Sequence, residues 1–344
     1  MVTFKELHIE LQATIFSYFT SYEAYHVLQW VCKDWFNICR CTNFREVFFV
    51  TAHYKVICLN FNGQEEYTID WKKNKDKDNS WLTGITMTPD YDFLVCDYDI
   101  NGLHRFKFNL NTWKYEYHSL FWEFEDFEET CPEAIIFDNR KLYIAADENP
   151  ILSCINENKE LSIIFESETE PGIWGMTKVA KEDKTEFLCC FTDTIKRFTI
   201  FPDGTNKYED FIVPPDSIEI KRLGSIESHN GLYYVLDSFN GNLFLFSENE
   251  FISILDSGEH LNRAFDLAFI DRELYPYIPN DKSKKQEKSS TPNTNDGVSL
   301  LVFTSNGIIE YTEEGEKIRD IQTLENTLQD CNFACKSGST LITI

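Results

Sequence analysis

The chain predicts a mainly β protein, a six-bladed β-propeller behind a short three-helix N-terminal domain. Three observations predict it. Helical spacing of apolar residues is confined to the first 45 positions. From about residue 46 short apolar strands alternate with turn residues, and one strand–turn unit recurs with a period in the forties, the mark of propeller blades. The last unit stops short at Ile344, while unassigned strands stand ahead of the first. The boundaries are 1–45 for the helical domain and 46–344 for the propeller.

In the helical domain Leu7, Leu11, Ile15 and Phe19 fall at i, i+4 and i+8, with Phe16 beside them, and so form one stripe down a helix. Thr20-Ser21-Tyr22-Glu23 supplies a capping box for the next helix. Val31, Cys32, Trp35 and Phe36 form a third short apolar face. Three helices in so few residues cannot bury all of these groups by themselves, so part of this surface requires a covering partner.

The stretch resembles an F-box. Leu7-His8-Ile9-Glu10-Leu11, Ile15-Phe16-Ser17-Tyr18-Phe19 and Val31-Cys32-Lys33-Asp34-Trp35 follow the family pattern in order and spacing over about residues 5–45. His8 departs from it, standing where the family usually has Pro, so the first helix lacks that rigid entry. The resemblance implies docking onto a Skp-family linker of a cullin–RING ubiquitin ligase. The docking residues it implies are Leu7, Ile9, Leu11, Ile15, Phe16, Phe19, Val31, Cys32, Trp35 and Phe36.

The propeller units begin at Gly84, Glu133, Gly175, Gly224, Phe265 and Asn332, with start-to-start spacings of 49, 42, 49, 41 and 67 residues. The longest spacing contains the segment at about 276–297, rich in Pro, Ser, Asn and Lys, which is expected to be a disordered insertion between two strands of the fifth blade. The final unit, from Asn332, is read as two strands; its missing outer strands are expected from residues 47–71, so that pairing of the two termini closes the ring. The repeats resemble NHL or strictosidine-synthase-type blades, since Gly-His and Trp-Asp signatures are absent.

Composition narrows the function. Lys and Arg number 32 against 57 Asp and Glu, a net charge of −25, and residues 1–45 contribute four of each sign. The whole surplus lies on the propeller and disfavours nucleic acid. No apolar run is long enough to span a bilayer, so no membrane partner is expected. Eleven cysteines, an odd count scattered through apolar strands, read as reduced thiols of a cytoplasmic or nuclear protein.

Second strands tend to end in Asp97, Asp147, Asp193 and Asp237, read as turn caps rather than ligands around the channel. No catalytic, metal-binding or cofactor motif stands out, so the chain is expected to be a non-catalytic receptor subunit with no cofactor. In a propeller, loops entering the inner strand share a face with loops after the second strand. That face collects the candidate substrate-binding residues Trp81, Trp174, Arg222, Arg263 and Phe239, together with Glu133, Glu148 and the acidic runs 123–129 and 166–170. Arg222 and Arg263 together could clamp a carboxylate or phosphate, whereas the acidic runs favour basic ligands. The expected partners are therefore the linker with its ligase and a protein substrate, either basic or phosphorylated. Two readings stand as alternatives: a gluconolactonase-type hydrolase, for which Glu133, Asn149 and Asp237 can be selected, and a scaffold acting outside any ligase.

Overall fold

The computed structural model describes residues 47–336, except for 53, 61–62, 71–80, 89–91, 110–111, 113, 125–130, 180, 182, 213, 272–296, 322–327 and 329–330. The helical domain, with every residue assigned to linker docking, and the insertion at 276–296 lie outside the described residues.

Twenty-four described strands form six four-stranded antiparallel sheets. The N-terminal strands are β1 (Val47–Ala52), β2 (Lys55–Asn60) and β3 (Glu65–Asp70). Blade one contains β4 (Leu82–Met87), β5 (Phe93–Asp97), β6 (Gly102–Asn109) and β7 (Lys114–Glu123). Blade two contains β8 (Pro132–Asp138), β9 (Lys141–Ala146), β10 (Ile151–Ile155) and β11 (Leu161–Glu166). Blade three contains β12 (Gly175–Val179), β13 (Thr185–Cys190), β14 (Ile195–Ile200) and β15 (Asn206–Asp210). Blade four contains β16 (Leu223–His229), β17 (Leu232–Asp237), β18 (Asn242–Phe246) and β19 (Phe251–Ser257). Blade five contains β20 (Ala264–Asp271), β21 (Val298–Thr304), β22 (Gly307–Thr312) and β23 (Lys317–Ile321), and β24 is Cys331–Lys336.

The sixth blade has the order β24-β1-β2-β3, so the two ends of the described chain pair and close the ring. One expectation is corrected. Among the described residues the closing blade takes one strand from the C-terminal side, β24, and three from the N-terminal side, β1 to β3. Residues 47–70 form three consecutive hydrogen-bonded strands and β1 fills the place next to the innermost strand; the second C-terminal strand expected from the sequence falls in 337–344, outside the described residues.

Apolar content follows position within the blade. Second strands such as β5 and β17 are buried on both faces, or nearly so, because each blade is sandwiched between two others, whereas the outermost β15 is exposed throughout. Six apolar clusters fill the six junctions between neighbouring blades. Phe49 and Phe93 belong to the junction of the closing blade with blade one, and Phe48 and Phe303 to its junction with blade five. Leu94 with Ile144, Tyr143 with Phe187, Leu188 with Val235, and Tyr234 with Val302 belong to the other four.

Near the channel the inner strands come very close. A Cβ on Gly84 would run into the Glu133 carbonyl oxygen and sit 3.0 Å from Ala134 Cα, and one on Gly175 would sit 2.8 Å from the Gly224 carbonyl oxygen. Hydroxyls tie the strands together there. Thr51 donates to the Thr83 carbonyl and Thr83 to the Pro132 carbonyl, each at 2.6 Å, and Ser225 donates to Asp266 at 2.6 Å. The insertion leaves the ladder intact: Asp271 and Val298, on either side of it, pair directly.

Candidate functional site

Backbone hydrogen bonds bring the two expected sets of loops onto one face. The Tyr98 amide donates to the Trp81 carbonyl at 2.8 Å, Asp147 to Cys131 at 3.2 Å, Ser238 to Arg222 at 2.9 Å and Arg263 to Ser238 at 3.1 Å. Each bond joins the residue leading into an inner strand to the turn after a second strand.

Arg222 is the centre of this mouth. Its guanidinium carbon lies 4.4 Å from the centroid of the Trp174 ring and 4.7 Å from that of Phe239, so two aromatic faces hold the cation between them. Glu133, Asp147 and Asp237 act on it through space, without a direct ion pair among the described residues. Burial lowers the Arg222 pKa while these carboxylates oppose the shift. Both Arg222 Nε and Trp174 Nε1 are buried without a hydrogen-bond partner.

Asp237 is held as a turn cap. Its carboxylate accepts backbone N–H bonds from Lys221 and Arg222 at 3.2 Å and from Phe239 and Asn240 at 3.3 Å. That arrangement fixes the residues on both sides of the sandwich. The other three strand-end carboxylates differ. Asp97 is fully buried and meets His104 Nε2 at 3.0 Å, with the Ile100 amide at 3.4 Å. Asp193 is exposed. Asp147 is partly buried, and burial with its neighbour Glu148 pushes its pKa up to about 6.

Among the mouth's carboxyls Glu133 and Asp147 are both raised in pKa, Glu133 the more strongly. It is 7% exposed and occupies a bulge in the innermost strand, where Pro132 pairs with Ala146 and Ala134 with Ala145, leaving Glu133 unmatched. Burial, and then Asp147, raise its pKa to about 8, against a lowering influence from Arg222. A second carboxyl, Glu227 on β16, is likewise raised to about 8, first by burial and then by Asp266.

Trp174, Arg222 and Phe239 are therefore brought into contact. Trp81 stands apart, 43% exposed, its ring 6.3 Å from that of Tyr98, whose hydroxyl reaches Glu148 of the next blade at 2.9 Å. Arg263 is exposed on its loop with φ of 63°, and its amide donates to the carbonyl of Ser238, the residue whose own amide meets the Arg222 carbonyl. The acidic run at 166–170 is partly answered by Lys196, 3.2 Å from Glu170. Sequence reading missed Asp147 as a partner of Glu133. The available signal was its place at the end of a second strand, opposite the loop that leads into the same blade. Asn149, selectable for a lactonase-type set, lies exposed, and among the described residues no three His, Cys, Asp or Glu are placed to hold a metal ion. Cys58, Cys96, Cys131, Cys154, Cys189 and Cys190 are buried thiols outside any disulfide. Among the described residues no helix is long and apolar enough to cross a membrane.

No family model and no curated protein sequence matches the chain. Solved structures do. A chain of the nidogen/laminin complex aligns with a TM-score of 0.57 at 10% identity, covering 85% of this chain and 98% of that one. A Bacteroides caccae protein of unknown function aligns with a TM-score of 0.56, also at 10% identity, over 85% and 98%. The likeness is one of fold. The chain is mainly β, a six-bladed propeller. A virginiamycin B lyase from Staphylococcus aureus, at 17% identity and a TM-score of 0.45 over 79% and 75%, is too distant to bear on chemistry.

Proposed function

We propose that the chain is a substrate receptor of a cullin–RING ubiquitin ligase, its N-terminal residues docking on a Skp-family linker and its propeller mouth holding a protein substrate. The observation that carries this reading is the ordered run of three F-box-like motifs directly ahead of a propeller. The mouth supports it with Trp, Phe and Arg, of which Trp and Arg are residue types enriched at interaction hot spots, gathered at the end of a channel. In this role the chain contributes no reacting group; it acts by proximity, keeping substrate lysines within reach of a ubiquitin-charged enzyme. Cytoplasm and nucleus, where such ligases work, are the compartments this reading requires.

The test is co-purification with a Skp-family linker, for wild type and for Ile15→Asp combined with Trp35→Ala. The expected result is a wild-type complex that the double variant loses while its propeller keeps a cooperative thermal transition. If wild type forms no complex with the linker, the receptor reading fails.

A further inference from the structure

We propose that the mouth around Glu133 is a recognition subsite for a cationic side chain, the ammonium or guanidinium group of a basic segment in the bound protein. This deepens the receptor reading by naming its substrate class, and rests on it for the identity of the partner as a ligase substrate.

Three observations converge. Glu133 is more than nine-tenths buried on an innermost strand, yet among the described residues its carboxyl makes no hydrogen bond or ion pair. A buried carboxyl in that state is costly unless a partner arrives. Acidic side chains also converge there: Glu133, Asp147 and Asp237 all act on Arg222. Asp237 is already satisfied by four backbone amides, and Arg222 is held by its aromatic neighbours. Finally, the rim carries exposed aromatic rings, Phe239 at 59% and Trp81 at 43%. The chain's own Arg222 demonstrates that such walls accept a guanidinium.

The titratable and charged groups around Glu133 are Asp147, Arg222 and Cys96; beyond them Asp147 faces Glu148 and Arg222 faces Asp237. Since Glu133 holds its proton up to about pH 8, an entering cation favours the ionised form and expels that proton. Affinity for a cation therefore rises with pH toward about 8 and then levels off. An anion in the same place would meet the Asp147 and Asp237 side chains and would hold Glu133 in its protonated form, which disfavours the phosphorylated substrate.

The experiment is calorimetric titration of the full chain with tetralysine amide, its Nε-acetylated counterpart and a phosphoserine peptide of equal length. Buffers of different ionisation enthalpy count the protons released. The tetralysine is expected to bind with proton release near neutral pH, and at least about tenfold more tightly than either other peptide. Glu133→Gln should weaken it about tenfold and remove the proton release. Glu209→Gln, the same side-chain exchange on exposed β15, where it does remove a negative charge, should do neither. Equal effects of the two substitutions would reduce the binding to the chain's overall charge and overturn the subsite. So would wild-type binding without proton release, or preference for the phosphopeptide. The linker is absent from this titration. Failure here with linker binding intact sinks the subsite alone, and failure of linker binding with the titration as expected sinks the receptor reading alone.

Discussion

Replacing Glu133 by Gln should stabilise the protein, by an amount set by pH. The carboxyl ionises near 4.5 when the chain is unfolded and at about 8 in the fold. Between these values the native state keeps a proton that the unfolded state has lost, so wild-type stability falls as pH rises through the window and levels off above about 8. One pKa unit is worth about 1.4 kcal/mol, so ionising this side chain costs the fold at most about 3 kcal/mol at pH 7 and about 5 kcal/mol by pH 9. At 7% exposure little solvent screening reduces these values. Gln keeps the shape and never ionises. At about 2 °C per kcal/mol for a domain of this size, the variant should melt about 6 °C above wild type at pH 7 and about 10 °C above it at pH 9. The gap should close toward pH 4.5. The assay is differential scanning calorimetry of both proteins from about pH 5 to pH 9. A Tm difference that does not change with pH would refute the argument, since it would mean that Glu133 ionises alike in the folded and unfolded chain.

The remaining predictions follow from single contacts. Glu227→Gln should stabilise with the same sign of pH dependence, because its carboxyl is also raised to about 8, and the same calorimetry checks it. Arg222→Met removes the cation that holds the Glu133 and Asp147 pKa values down; both should rise above about 8 and about 6, as read by carboxyl-carbon NMR titration, and unmoved values would show no coupling. Gly84→Ala forces a methyl against the Glu133 carbonyl of the next blade and should cost about 1–3 kcal/mol in denaturant unfolding. Deleting residues 331–344 removes the strand that pairs with β1. The ring then has an open edge, and the cooperative thermal transition should give way to aggregation, measured by light scattering on heating.

Strand alternation, turn residues and a recurrence of 41 to 49 residues are local properties of the chain, and together they determined the blades, their number and the pairing of the termini. They also placed the insertion between β20 and β21, and predicted the turn cap at Asp237. The division of the closing blade into one strand and three came from the tertiary structure, because apolar alternation in 47–70 fits more than one partition until hydrogen-bond partners are assigned. The mouth was legible only as a list of residues on one face. Trp174 leads into blade three, Arg222 leads into blade four and Phe239 follows that blade's second strand, so no sequence spacing singles out the sandwich they form. The proton affinity of Glu133 lies further still from the sequence. It comes from a bulge that leaves the residue unmatched, from burial between inner strands and from Asp147 across its own blade. A carboxyl's ionisation depends on what surrounds it in space, and only closure of the ring determines that.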